Sequence, residues 1–325
     1  MTVALFTLGG TIAMAGTASG GVVSRLTGAD LTAAVPGLAG IPLDVRDVEA
    51  VPSAALAYRQ ILDLVDAAGT AVADGATGVV VTQGTDTLEE TAFLADLVWP
   101  HPEPLVFTGA MRNPTLAGPD GPANLLAAAR VAAAPAARDL GVLVAFNDEV
   151  HAARFVRKTH STSTATFASP NVGPLGHVIE GAVRLLTRPP RHAPLPPVDR
   201  DRLAGTRVAL HTVTLDDDPA LLDALTPGLD GLVVAGFGVG HVPPDFAPAL
   251  GALAARMPVV LASRTGAGSV LRDTYGAVGS ETDLRRRGLA CGGLLDPYKA
   301  RVLLRMLLAG GADRPAVDAA FARHG

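Results

Sequence analysis

Three short stretches of this chain put chemically capable side chains directly after apolar, β-branched runs. Thr11 lies in TLGGTIAM, where paired glycines let the backbone turn sharply and present a hydroxyl in a crevice. Thr85 and Asp86 lie in VVTQGTDTLEE, and Lys158 lies in the hydroxyl-rich stretch FVRKTHSTSTATF. A lysine that acts as a base must lose its proton, which burial and neighbouring cations allow and which a guanidinium does not do. Of 26 basic residues only Lys158 and Lys299 are lysine, so a chain this biased to arginine retains an amine where chance or chemistry asks for one. Each residue also has a plainer reading. Thr11 can be a turn residue, Thr85 and Asp86 a helix cap, and Lys158 a solvated loop cation. A dinucleotide fingerprint does not fit, because Gly9 and Gly10 are adjacent and the next glycine is Gly16.

The runs that must carry these residues are Val3–Thr7, Gly78–Thr82, Leu105–Thr108 and Val142–Phe146, followed by Val208–Val213, Leu232–Ala235 and Val259–Ala262. Continuous apolar strands alternating with amphipathic helices predict an α/β fold whose mostly parallel sheets are covered on both faces. After Gly78–Thr82, the spacing of Leu88, Ala92, Phe93 and Leu97 predicts a helix beginning near Thr85–Thr87. Glu89 and Glu90 fall in its first turn, and its free N–H groups would suit a carboxylate ligand. The proline-rich text LTRPPRHAPLPPVDRDRLAG reads as a linker over 187–205. It separates a larger, doubly wound N-terminal domain (1–186) from a smaller C-terminal α/β domain (206–325) of three or so βα units. In such sheets ligands bind beyond the carboxyl ends of strands, where strand order reverses.

Composition narrows the function classes. The 325 residues are 49% hydrophobic with formal charge -5, and the arginines are scattered, so nucleic acid and membrane surfaces are not expected partners. One cysteine, Cys291, excludes an internal disulfide framework, and no Cys/His spacing suggests a metal; no cofactor is expected. Met1 leads straight into VALFTL without the features of a secretion signal, so a cytoplasmic location is expected.

Taken together, the segments TLGGTIAM, VVTQGTDTLEETAF, FTGAMR, DGPANLLAAARVA, GVLVAFNDEVHAARFVRKTHSTSTATF, GSETDL and LLDPYKARVLL resemble the bacterial L-asparaginase family, in order and over nearly the whole chain. The resemblance implies two α/β domains, hydrolysis of free asparagine to aspartate and ammonia, and a homodimer or homotetramer with sites shared between subunits. It implies Thr11 as nucleophile, with Thr85, Asp86 and Lys158 as the second threonine, aspartate and lysine of the catalytic group. Ser53 would hold the substrate α-carboxylate, Asp86 the α-ammonium, and the Ala110 carbonyl the leaving amide. Glu281 would be supplied by the neighbouring subunit. Such chemistry is coherent, since an unactivated amide needs a nucleophile, a proton acceptor and donors for the oxyanion.

Three positions depart from the family pattern. Gly20 or Gly21 falls where a lid tyrosine is usual, Ala54 replaces the glutamine that often follows the serine, and His241 replaces a common asparagine. Slower turnover, another lid arrangement or an altered preference between asparagine and glutamine would follow. A non-catalytic asparagine-binding module on the same fold is the alternative function. The related archaeal tRNA-dependent amidotransferase subunit carries an additional N-terminal domain that this chain does not show at its start.

Overall fold

The computed structural model describes residues 2–16, 22–24 and 26–325. The chain forms two compact units, Met1–Leu195 and Pro196–Gly325. The strand-forming runs predicted from sequence are all strands, and the fold is α/β with mostly parallel sheets.

The first unit is built on β1 (Thr2–Thr7), β4 (Leu43–Asp47), β5 (Ala76–Thr82), β6 (Leu105–Thr108), β7 (Val142–Phe146), β8 (Glu149–Ala152), β11 (Gly176–Ile179) and β12 (Ala182–Leu185). Two short hairpins complete its strands: β2 (Met14–Gly16) with β3 (Val22–Ser24), and β9 (Arg157–Lys158) with β10 (Phe167–Ala168). The main sheet runs in the order β12-β11-β8-β7-β6-β5-β1-β4, parallel from β4 to β7 and antiparallel from β7 to β12. The sequence reading did not find β4, β8, β11 and β12. Their residues are only partly buried or alternate in polarity (LDVRD, EVHA, GHVI, AVRL), so they lack the continuous apolar run that marks a central strand.

Helices cover both faces because every second residue of each strand points to each side. Val3, Leu5, Val80, Val106 and Leu143 join one core with α4 (Gly121–Ala133) and with Leu31 of α1 (Gly28–Ala33). The alternate residues Ala4, Val79, Val81, Phe107 and Val144 are fully buried as well, beneath α2 (Tyr58–Ala73) and α3 (Leu88–Asp96).

Residues 186–199 carry no helix or strand. The stretch up to Leu195 nevertheless belongs to the first unit: Arg191 donates to His101 O at 2.8 Å, and the Leu195 N–H donates to Leu97 O at 2.6 Å.

The second unit opens with α5 (Arg200–Gly205), capped by Asp199. Its sheet is four parallel strands in sequence order, β13 (Val208–Thr212), β14 (Gly231–Gly236), β15 (Val259–Ser263) and β16 (Ala290–Cys291). α6 (Ala220–Leu225), α7 (Phe246–Ala254) and α8 (Glu281–Arg286) contribute to one core against it, and α9 (Pro297–Ala309) packs on β13 and β14. α10 (Arg314–His324) lies along β16. Lys299, the second lysine, is fully buried in the first turn of α9, where Asp296 pairs with it at 3.5 Å. Among the described residues no helix is long and apolar enough to cross a membrane.

Candidate active site

The strand order of the first unit reverses at β1. From β1 the chain moves to β4 on one side and then returns to β5 on the other, so the crevice beyond the carboxyl ends of β1 and β5 is the topological switch point. Thr11 follows β1 and Thr85 follows β5. Thr11 is half-buried and begins a single helical turn, Thr11–Ala13, whose Ile12 and Ala13 are buried. Two glycines with left-handed backbone, Gly9 (φ 82) and Gly10 (φ 89), turn the chain there. Gly10 also lies on the backbone of Gly84, since a Cβ on Gly10 would stand 2.2 Å from the Gly84 nitrogen. Gly84 in turn packs on Ser53, whose Oγ would be 2.7 Å from a Cβ at that position. Close backbone contact therefore joins the Thr11 turn, the Thr85 loop and Ser53.

Asp86 does not cap α3. The cap position is Thr87, with no side-chain capping bond, and its hydroxyl donates instead to the Ser53 carbonyl at 3.0 Å. The Asp86 carboxylate, one residue earlier and exposed, accepts from Lys158 Nζ at 3.0 Å. The same ammonium donates to Oγ1 of buried Thr85 at 2.9 Å. Lys158 is thus not a solvated loop cation but part of a three-residue cluster. With its oxygen occupied as an acceptor, the Thr85 hydroxyl has its own proton available for another group.

Lys158 reaches this place because β9 is held from two directions. Glu89, buried in the first turn of α3, accepts the Lys158 backbone N–H at 3.2 Å and stands 3.9 Å from Arg157 Nε. Behind the hairpin, Ser169 hydrogen-bonds Nδ1 of fully buried His151 at 2.9 Å, tying the end of β10 to β8. Sequence reasoning noted Glu89 as a first-turn acid and gave no role to His151 or Ser169. Glu89 at a helix start carried a usable signal, whereas the contacts of His151 and Ser169 depend on the fold.

Ser53 is 2% exposed, in the turn Ser53–Ala55, and among the described residues its Oγ has no hydrogen-bond partner. A buried hydroxyl without a partner costs free energy, so this group is poised for a ligand that supplies one. Ala110, buried at the end of β6, belongs to a loop fixed by two residues of the DGPAN segment. Asn124 Nδ2 donates to Gly109 O at 3.0 Å, and the Asp120 carboxylate accepts the N–H groups of Met111 (3.0 Å) and Arg112 (2.8 Å). A Cβ on Gly109 would lie 3.3 Å from Thr85 Cγ2, which sets this loop against the threonine. Thr11, Ser53, Thr85, Asp86, Ala110 and Lys158 therefore gather at one sheet edge. Gly20 and Gly21, at the position of the lid tyrosine, lie outside the described residues.

Glu281 belongs to the second unit, at the start of α8, and is fully buried. Oε1 accepts the N–H groups of Thr274 (2.9 Å) and Tyr275 (2.7 Å), and Oε2 faces His241 Nε2 at 3.2 Å. The Tyr275 ring meets the imidazole edge-on at 4.9 Å. Burial pushes the Glu281 carboxyl up, but the backbone N–H groups and His241 outweigh it and hold the carboxyl below its ordinary value. Among the described residues no group of three or more His, Cys, Asp or Glu could hold a metal ion.

Comparison with known proteins fits this geometry. Residues 2–191 match the family described as "Asparaginase, N-terminal", and residues 207–321 match "Glutaminase/Asparaginase C-terminal domain". A "Probable L-asparaginase" of Deinococcus radiodurans is 35% identical over 325 residues, covering 98% of this chain and 96% of that one. The "L-asparaginase 2" of Escherichia coli is 38% identical over 259 residues, covering 77% of this chain and 72% of that one. The crystal structure of a probable cytoplasmic L-asparaginase from Campylobacter jejuni superposes with a TM-score of 0.86 at 32% identity, covering 99% of both chains. Two matched halves in order, a relative similar along nearly its full length and a shared architecture lead to one conclusion: this chain belongs to the asparaginase family and is an amidohydrolase.

Proposed function

We propose that the protein hydrolyses L-asparagine to L-aspartate and ammonia at the switch point of the first unit, with Thr11 as nucleophile. The observation that carries the reading is the contact of Gly10 with Gly84, which brings the Thr11 turn beside a Thr85 already bonded to Lys158. Thr11 Oγ1 attacks the side-chain amide carbon. The C–N bond then breaks, the nitrogen takes up a proton and leaves as ammonia, and a β-aspartyl ester remains. Water attacks the same carbon, the ester bond breaks, and Thr11 recovers its proton as aspartate departs. Thr85 and Lys158 pass the protons and position the water. With no lid tyrosine in the expected register, they are also the groups that activate Thr11.

Binding follows from the same edge. The unpartnered Ser53 hydroxyl and the N–H groups at the start of α3 suit the α-carboxylate, and Asp86 suits the α-ammonium. The Ala110 carbonyl would receive the leaving amide. Glu281 would reach the α-ammonium from a neighbouring copy in a homodimer or homotetramer. L-Glutamine and D-asparagine are candidate side substrates. We place the protein in the cytoplasm, as named for the Campylobacter jejuni relative, although a Haemophilus influenzae relative is named periplasmic.

Ammonia release from L-asparagine tests the reading. Thr11→Ala and Thr85→Val should each lower kcat on the order of 10³-fold or more while the fold is retained. Full activity in either variant would sink the two-threonine mechanism. Binding of asparagine with no ammonia released by the wild type over hours would sink the enzyme itself.

A further inference from the structure

A cavity of about 510 Å³ opens on the second unit beside β16, the edge strand of its sheet. Buried Leu289, Ala290 and Cys291 contribute to its lining, and α8, α10 and the segment at Arg272 close around it. Four arginines, Arg272, Arg285, Arg286 and Arg314, face only two carboxylates there, Asp273 and Asp318. Arg285 pairs with Asp273 at 2.8 Å, which accounts for one charge of each sign. Arg314 donates to the carbonyls of Ala254 and Gly288, which fixes its guanidinium without neutralising it. Among the described residues neither Arg272 nor Arg286 forms an ion pair.

Arg272, Arg286 and Arg314 thus line one cavity with Asp318 as the remaining carboxylate of its wall, while Asp283, outside that wall, acts on Arg286, in a chain whose formal net charge is -5. A concave wall of one sign focuses the local field, and like charges held together are relieved by an anion. Guanidinium forks match the oxygens of a phosphate two at a time. The volume exceeds what a bare phosphate needs and falls in the range of small-molecule sites, with apolar lining available for an organic body.

We propose that this cavity binds a small phosphorylated metabolite, its phosphate oxygens held by Arg272, Arg286 and Arg314. The site lies within the second unit, uses none of the residues of the proposed reaction, and stands whether or not that reaction is confirmed.

Calorimetric titration of the intact protein in about 0.1 M sodium chloride, near the physiological Debye length, tests this with inorganic pyrophosphate, inorganic phosphate and adenosine monophosphate as probes. We expect saturable binding at one site per chain, with adenosine monophosphate tighter than inorganic phosphate. The pair Arg272→Ser and Arg286→Ser removes side chains only, so the Arg272 carbonyl that accepts from Arg285 at 2.7 Å remains. That double variant should bind at least about tenfold more weakly, as the loss of charge-assisted contacts requires. Ala322→Trp, on an exposed residue of α10 that lines the cavity, fills the space while leaving every arginine in the chain and should abolish binding. Wild-type affinity in either variant, no binding to the wild type at millimolar probe, or displacement by chloride at equal ionic strength would overturn the site. Equal affinity for inorganic phosphate and adenosine monophosphate would overturn the metabolite, because no organic body would then be recognised.

Discussion

Lys158 Nζ stands 2.9 Å from Thr85 Oγ1, and this bond spans 73 residues of sequence to join a two-residue strand to the end of a central one. Its neighbour, the Lys158 to Asp86 pair at 3.0 Å, involves a carboxylate side chain that is 71% exposed. Exposed pairs contribute about 0–1 kcal/mol, so the cluster is not there for stability. Lys158→Met should lower kcat for asparagine by about 10²- to 10⁴-fold, the usual worth of a positioned proton-transfer group. Its melting temperature should move by no more than about 2 °C. Lys158→Arg keeps the charge and the donors but cannot give up a proton, so it should be nearly as slow. Near-normal turnover of the arginine variant would reduce Lys158 to a fixed cation.

The contact of Gly10 with Gly84 makes a second prediction. Alanine at position 10 would have to hold φ 89 and place its Cβ 2.2 Å from the Gly84 nitrogen. Backbone cannot yield as a side chain does, so Gly10→Ala should cost about 1–3 kcal/mol and separate the two threonine turns. Gly84→Ala presses on Ser53 Oγ at 2.7 Å, the hydroxyl proposed for the substrate carboxylate. It should therefore raise KM more than it lowers kcat. Steady-state kinetics with thermal unfolding on both variants checks this, and unchanged kinetics in Gly10→Ala would mean that the two turns need not touch.

Much of this arrangement was legible in the sequence because central parallel strands are apolar throughout, and the residues that end them are the ones that line the crevice. Thr11, Thr85 and Asp86 were found that way. Lys158 was singled out by the scarcity of lysine and grouped with Thr85 and Asp86 by the family resemblance, and the hydrogen bonds that join them became visible once β9 was folded against α3. The strands β4, β8, β11 and β12, of which β4 and β12 are the sheet edges, were not legible, since residues that are partly buried or alternate in polarity leave no long apolar run. His151 and Ser169 share that limit, and so does the contact, though not the helix-start position, of Glu89. Each acts through a contact 18 to 69 residues distant in sequence, which no local periodicity encodes. Prolines mark 187–205 in the composition, and the two compact units part at Leu195 and Pro196, with hydrogen bonds holding the chain to the first unit until then.

Glu281 should shape the acid limb of stability. The N–H groups of Tyr275 and Thr274 and the His241 ring hold its carboxyl below the ordinary value despite burial. A carboxyl with a depressed value in the folded state contributes stability that is complete above its unfolded value and is lost as pH falls through the folded one. Between about pH 5 and pH 3 the wild type should therefore lose melting temperature more steeply than Glu281→Gln, which has no such proton to take up. Parallel curves for the two proteins would mean that the Glu281 carboxylate gains nothing from these donors.

Sharing of sites between copies has a quantitative consequence. If each site takes Thr11 from one chain and Glu281 from its neighbour, Thr11→Ala and Glu281→Ala are both inactive alone, yet they complement when combined. In a mixed dimer one site carries both lesions and the other carries neither. Refolding the two variants together in equal amounts makes about half the dimers mixed, each with one intact site of two, so about a quarter of wild-type ammonia release should return. Refolding either variant alone gives the baseline. A mixture no more active than the two baselines would place Thr11 and Glu281 in the same chain's site, or leave Glu281 outside the reaction altogether. Size-exclusion chromatography of the refolded mixture separates these outcomes from a failure to associate, because dimers must be present for complementation to be read.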